Sequence, residues 1–340
     1  MTSNVIIVVR QMNENDLEQA DKIMKLAFGT FLGLPEPISF IGDADYVYTR
    51  YHADPSAALV AEIDGKIVGS NFALHWGSVG VFGPLSILPE LWDKGVAKRL
   101  LEETMNIFAK WQIRHAGLFT FAQSVKHVRL YQKFGFWPRF LTAIMSKPVS
   151  LQSIHERQPP MDIKWTRYSE LTSSLDREKA IEACRDLTNE LYPGLDLRKE
   201  IYSVEKQRLG DTILIYGKSN NLHDADDYSD DHASTLIGLA ICHCGPRTEA
   251  GSGTCYIKFG AIRPAKNASK YFDYLLDVCE SYAKTQGLSR IAGGANTARH
   301  NTYRKMIERN FRTDLQGVAM HRPNEACYCK DDVYLIDDWR

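Results

Sequence analysis

Along residues 5–146, apolar positions switch between a strand period and a helix period. Val5–Arg10 reads as a short strand. Leu17, Ala20, Ile23, Met24 and Ala27 then recur at helical spacing, with Asn15 or Asp16 placed to cap a helix through Phe28. Gly and Pro fill Phe28–Asp45, which reads as loop or short helix. Ala57–Ile63 and Lys66–His75 flank Asp64-Gly65, a hairpin turn pair. Val79–Leu88 is a further strand. Val96, Leu100, Ile107, Phe108 and Trp111 mark an amphipathic helix, and Ala116–Phe121 a short, buried-type strand. A helix from about Lys126 ends at Gly135, which suits a left-handed cap. Phe140–Met145 closes the unit as a strand.

The order then repeats. Ile163–Tyr168 is a strand and Asp176–Tyr192 largely a helix. Thr212–Lys218 and Thr235–Cys244 form a hairpin around an acidic insertion containing Asp224, Asp226, Asp227, Asp230 and Asp231. That insertion lacks the Gly and terminal Glu of a calcium loop and reads as solvated chain. Tyr256–Arg263, Ser269–Thr285 and Ile291–Gly294 are strand, helix and strand, and a last helix runs to about Arg309. One offset of 175 aligns Ile87-Leu88-Pro89 with Ile262-Arg263-Pro264, Leu100-Leu101 with Leu275-Leu276, and Phe136 with Phe311. A constant offset over a whole supersecondary block predicts duplication. The expected organisation is an N-terminal unit over 1–148, a Pro-Pro-containing linker over 149–161 and a C-terminal unit over 162–340. The fold class is α/β, each unit a mixed central sheet flanked by helices.

Composition narrows this little. The chain has 340 residues, 44% apolar and 24% charged, with a formal net charge of -1. Near-neutrality offers no broad attraction for nucleic acid. No apolar stretch approaches the roughly 18 residues of a membrane span. All seven cysteines lie in the second half. Cys242/Cys244 and Cys327/Cys329 form C-x-C pairs, but the spacing is not that of a usual zinc site. Reduced, buried thiols in a cytoplasmic protein are the expectation, with no metal.

The chemistry concentrates in Leu85–Leu101. An apolar strand ends at Pro89, and an amphipathic helix opens near Gly95. The first N–H groups of a helix have no internal partner, and the helix dipole favours an anion there. Gly95 and Ala97 allow a pyrophosphate to approach the backbone. There is no G-x-G-x-x-G, which disfavours a dinucleotide, and no Gly-Lys-Ser/Thr of a P-loop.

Ile87, Pro89, Gly95 and Ala97 resemble motif A of the GCN5-related N-acetyltransferase (GNAT) superfamily, with Trp92 where Gln or Arg is usual. Ser124–Phe136 resembles its Asn-to-Tyr-Gly-Phe helix at Tyr131, Gly135 and Phe136. Ser124 stands for the Asn and His127 for a small residue. Trp76–Gly80 and Phe82–Leu85 resemble stretches of tandem members.

The resemblance implies acetyl-CoA lying between Val79–Leu88 and Ala116–Phe121. Backbone groups of Leu85, Ser86 and Ile87 would bond the pantetheine arm, one N–H polarising the thioester carbonyl. The N–H groups of Asp93, Lys94, Gly95, Val96, Ala97 and Lys98 would hold the pyrophosphate. Tyr131 would protonate the leaving thiolate, and His127, one turn away, would border it. Glu36, Asp43, Asp45 and His75 are candidates beside the acceptor, and none stands out as the base. The acceptor is an amine, on a small molecule or a protein. At the 175 offset Gly95, Ala97 and Tyr131 become Lys270, Phe272 and Met306. The second unit is therefore expected to be a degenerate copy that walls the acceptor pocket, stabilises its partner unit or forms a homodimer. A CoA-binding module without turnover and an enzyme for another acyl donor stand as alternatives.

Overall fold

The computed structural model describes residues 6–150, 163–217 and 235–340. Of the expected linker over 149–161, residues 151–161 lie outside the described residues, as does the acidic insertion. Fourteen strands and eight α-helices are described. In chain order the N-terminal half holds β1 (Ile7–Gln11), α1 (Leu17–Phe31), α2 (Val47–Ala53), β2 (Ala58–Ile63), β3 (Lys66–Trp76), β4 (Val79–Phe82), β5 (Ser86–Ile87), α3 (Val96–Lys110), β6 (His115–Thr120), α4 (Val125–Gln132) and β7 (Trp137–Pro148). The C-terminal half holds β8 (Lys164–Arg167), α5 (Ser174–Leu191), α6 (Arg198–Gln207), β9 (Gly210–Gly217), β10 (Thr235–Gly245), β11 (Gly251–Ile262), α7 (Ala268–Thr285), β12 (Arg290–Asn296), α8 (His300–Glu308), β13 (Arg312–Arg322) and β14 (Leu335–Ile336).

The local signals hold. Asp64 and Gly65 both take positive φ between β2 and β3, as the two-residue hairpin turn requires. In α3, Val96, Leu100, Leu101, Thr104 and Phe108 are buried at helical spacing. Each large apolar side chain so buried contributes roughly 1.5–3 kcal/mol. Some expectations needed correction. Asn13 rather than Asn15 or Asp16 does the capping, on a short 3₁₀ turn ahead of α1. Asp16 instead takes Arg10 and the Asn13 N–H. The expected strand Val79–Leu88 is broken at 83–85, because Pro84 has no N–H to give a ladder.

The sheet is mixed and continuous across both halves, in the order β1-β2-β3-β4-β6-β13-β7-β12-β11-β10-β9-β8, with β5 on β3 and β14 on β11. Its parallel pairs are β4–β6 and β11–β12. The centre departs from the expected closure of each unit on itself. β7, from the first half, lies between β13 and β12 of the second, and β13 lies between β6 and β7 of the first. Further contacts clasp the halves: Ser78 N–H donates to the Gly194 carbonyl at 2.7 Å, and Asp45 N–H to that of Thr248 at 2.9 Å. The largest apolar cluster draws on both halves, joining Leu74, Trp76, Val79 and Val81 to residues of α5, α6, β9, β10 and β11.

The 175 offset is visible in geometry. Gly135 and Asn310 both take positive φ after their helices. Phe136 N–H donates to the Tyr131 carbonyl at 3.2 Å, and Phe311 N–H to that of Met306 at 3.0 Å. The two helix ends share a cap and a register, so Met306 is the counterpart of Tyr131.

Candidate active site

β4 and β6 pair in parallel at Val79–Val81 against His115–Gly117 and no further. Beyond that point β5 pairs only with β3. Leu88 N–H donates to the Val68 carbonyl, and the alternation of an antiparallel ladder then spends the backbone of Ser86 on β3. It turns the N–H of Ile87 away from β3, toward the cleft.

α3 opens at the mouth of this cleft. Its cap, Gly95, has φ +88° and no side-chain cap bond. Nothing lies within 4 Å of where a Cβ would stand there. Arg99 N–H is the first to reach back, to the Gly95 carbonyl. The N–H groups of Gly95, Val96, Ala97 and Lys98 have no backbone acceptor among the described residues. Four free donors at the positive end of a helix dipole, with open space above them, fit a pyrophosphate.

Trp92 has a structural role that its sequence position did not suggest. Its indole N–H donates to the Ile87 carbonyl at 2.9 Å, latching the loop to β5. Lys126 of α4 lies over the Trp92 ring and pairs with Asp93 at 2.8 Å. Asp93 and Lys94 thus sit in the loop facing the start of α4. Ser124 caps α4, accepting from His127 N–H at 3.4 Å.

His127 and Tyr131 both turn inward from α4. His127 lies against Phe31, ring centroids 5.0 Å apart, and Phe31 against Phe121 at the end of β6. Burial and Lys126 lower the His127 pKa. Tyr131 is 7% exposed, edge-on to Phe82 at 5.9 Å. Its hydroxyl bonds to no described residue, and burial pushes the phenol pKa well up.

The acceptor candidates are not brought together. His75 stands at the β3–β4 turn, opposite Gly80, where β4 and β6 are still paired. It stacks on Trp111 at the far end of α3 and accepts Lys199 at 3.1 Å. This is the closed end of the cleft. Asp43 gives both oxygens to Ser252, one to the N–H at 2.9 Å and one to the hydroxyl, tying the halves together. Those bonds hold its pKa down. Glu36 is exposed ahead of a 3₁₀ turn. Asp45 caps α2 through Tyr48 N–H at 2.9 Å, and burial raises its pKa to about 6.

Residues 23–136 match the sequence profile of the acetyltransferase (GNAT) family. Residues 23–136 are thus a domain of the acetyltransferase (GNAT) family. Among solved structures, a GCN5-related N-acetyltransferase from Sphaerobacter thermophilus is similar at 14% identity and TM-score 0.58, covering 95% of this chain and 96% of that one. An acetyltransferase candidate from Pyrococcus horikoshii is similar at 11% identity and TM-score 0.62, covering 98% and 95%. A GCN5-related glucosamine N-acetyltransferase region of a fungal multi-domain β-N-acetylglucosaminidase gives 12% and 0.61, covering 93% and 38%. At these identities the likeness is one of fold. No curated protein matches the chain. The GNAT fold is an acyltransferase fold that binds acetyl-CoA or CoA, and its enzymes act on amines.

The corresponding cleft of the C-terminal half is filled from within. β11 and β12 pair as far as Ile257 and Gly293, then part. β14 occupies the gap, Ile336 opposite Gly260 and Leu335 opposite Ala261, and Ile262 N–H donates to the Tyr334 carbonyl at 3.0 Å. Gly260, Ala261 and Ile262 stand at the 175 offset from Leu85, Ser86 and Ile87. Phe272, the counterpart of Ala97, is buried against Tyr334. α7 opens at Ala268, ahead of Tyr271, the counterpart of Val96, so its first turn replaces the loop.

The seven cysteines are free thiols, all buried except the half-buried Cys244. Among the described residues no three His, Cys, Asp or Glu groups are placed to hold a metal. No described helix is long and apolar enough to cross a membrane.

Proposed function

We propose that the chain transfers an acetyl group from acetyl-CoA to an amine in the cleft between β5 and β6. The observation that carries this reading is the free N-terminal turn of α3 at the mouth of that cleft, capped by Gly95 with no obstruction above it. We read 1–148 and 162–340 as tandem units, the second without a working site.

Acetyl-CoA supplies an activated acyl thioester. Asp93–Lys98 bind its pyrophosphate through the first N–H groups of α3. Leu85 and Ile87 offer N–H donors along the cleft, and one of them steadies negative charge on the thioester oxygen. The amine nitrogen bonds to the carbonyl carbon, the C–S bond breaks, Tyr131 gives the departing sulfur its proton, and the proton shed by the nitrogen returns through solvent to restore the phenol. The raised Tyr131 pKa keeps the phenol protonated. A thiolate leaving into the same apolar cleft is itself made more basic by desolvation.

Calorimetric titration of acetyl-CoA into wild type and Gly95→Trp tests the site. Binding of one equivalent by wild type and none by the variant is expected; absence of binding by wild type overturns the reading. A CoA-binding chain without turnover draws support from the burial of Tyr131 away from any partner. Tyr131→Phe separates the two: loss of about 10²–10⁴ in kcat with unchanged CoA affinity favours the enzyme.

A further inference from the structure

Gly83 sits where β4 breaks from β5, at the point where the cleft opens. Its N–H donates to the Phe72 carbonyl at 2.8 Å. Its carbonyl accepts Nη1 of Arg50, from α2, at 2.5 Å. Arg50 is buried, and its remaining donors go to the second half of the molecule. Nε and Nη2 donate to the two oxygens of Glu249 at 2.9 and 3.3 Å, and Nη2 also to the Arg340 carbonyl. Glu249 in turn takes Lys258 at 3.0 Å. Lys258 lies 3.2 Å from Glu200, which accepts the Trp76 indole N–H at 2.9 Å.

Charge alternates along this run, and all four ionic groups are buried. Burial alone would raise the Glu249 pKa; Arg50 and Lys258 more than reverse that. A buried ion-pair run is a poor source of stability, since apolar residues of similar volume serve as well or better. It does fix geometry, because each fork admits one arrangement. In Arg50 that geometry ends on a single backbone atom of the first half, the Gly83 oxygen. With both its N–H and its carbonyl held, Gly83 fixes the direction in which Pro84 and Leu85 continue toward β5.

We infer that Arg50 is a positioning residue for acyl transfer, orienting the Gly83–Leu85 segment, and that Glu249 of the C-terminal half holds Arg50 in place for that task. The inference rests on the proposed reading of the cleft. It gives the C-terminal half a definite contribution to a site in which it provides none of the proposed acetyl-CoA contacts.

The test uses the full chain as Arg50→Lys, and as the double variant Arg50→Met/Glu249→Leu, which replaces the pair by apolar groups. Wild-type turnover against an amine library comes first. If wild type binds acetyl-CoA and turns over no amine, the reading of the cleft fails and the inference with it. With an active wild type, Arg50→Lys is expected to lose at least about tenfold in kcat, since a single ammonium cannot reproduce the fork. CoA affinity by calorimetry should stay within about twofold, because the pyrophosphate site is untouched. The double variant should melt at or above the wild-type temperature and still lose kcat by a similar factor, a combination that a purely structural pair does not give. A folded double variant with wild-type kcat overturns the inference and leaves the reading of the cleft standing.

Discussion

His115 Nε2 and His321 Nδ1 meet at 2.9 Å inside the sheet, on the adjacent strands β6 and β13. Both side chains are buried, and the outer nitrogens, His115 Nδ1 and His321 Nε2, find no hydrogen-bond partner among the described residues. Burial, with Arg139 nearby, lowers the His115 pKa to about 4. Burial, His115, Arg139 and Arg299 lower that of His321 to about 3. An unfolded histidine titrates near 6.5. The folded values lie below the unfolded one, so the unfolded chain takes up protons first as pH falls. The contribution of the pair is therefore complete above about pH 6.5 and is lost progressively toward pH 3–4.

At about pH 5 the linkage integral gives roughly 2 kcal/mol for each histidine, with about 4 kcal/mol as the ceiling because their mutual repulsion enters both shifts. For 340 residues unfolding as one unit, that ceiling corresponds to about 6 °C in Tm. The assay compares Tm at about pH 7 and about pH 5 for wild type and His115→Gln/His321→Gln. Asp45, raised to about 6 by burial, contributes with the opposite sign, stabilising at low pH and losing that effect as pH rises through 6. It is present in both proteins and cancels. The double variant should lose several degrees less on acidification. Equal acid sensitivity in the two proteins refutes the argument.

Other outcomes follow from the same contacts. Trp339 lies flat on β6 because Gly117 has no Cβ, which would stand 2.3 Å from the indole. Its N–H donates to the Tyr328 hydroxyl at 2.6 Å. Trp339→Ala should cost about 3–5 kcal/mol in urea unfolding, and a loss under about 1 kcal/mol would show the contact to be incidental. Lys270→Gly/Phe272→Ala restores small residues to the second copy of the anion loop, yet β14 still fills the gap behind it. Calorimetry should therefore find one acetyl-CoA per chain in this variant, and a second equivalent would refute the plug.

The features legible in the residues alone are short-range. A helix records its buried face in residues three and four apart, and a cap or hairpin turn needs one residue with a permitted φ. The α3 and α4 helices, the Asp64-Gly65 turn, the Gly95 cap and the Gly135 end were all legible for that reason, and so was the loop that resembles motif A. Which strands pair at the centre was settled by long-range packing. Apolar alternation marks β7 and β13 as strands without specifying neighbours, so their interleaving between the halves left no local trace. Arg50 carried no signal because its partner Glu249 is 199 residues away. His75 sits at a strand end in sequence, and only the parallel register shows that end of the cleft to be closed. Trp92 looked like a lost polar side chain until the loop brought its N–H to Ile87. Lys270 and Phe272 mark where the second unit departs from motif A, but that β14 fills the gap beside β11 depends on a chain segment about 75 residues beyond β11 folding back to meet it, a contact set by burial and hydrogen bonding across the fold rather than by any neighbour in sequence.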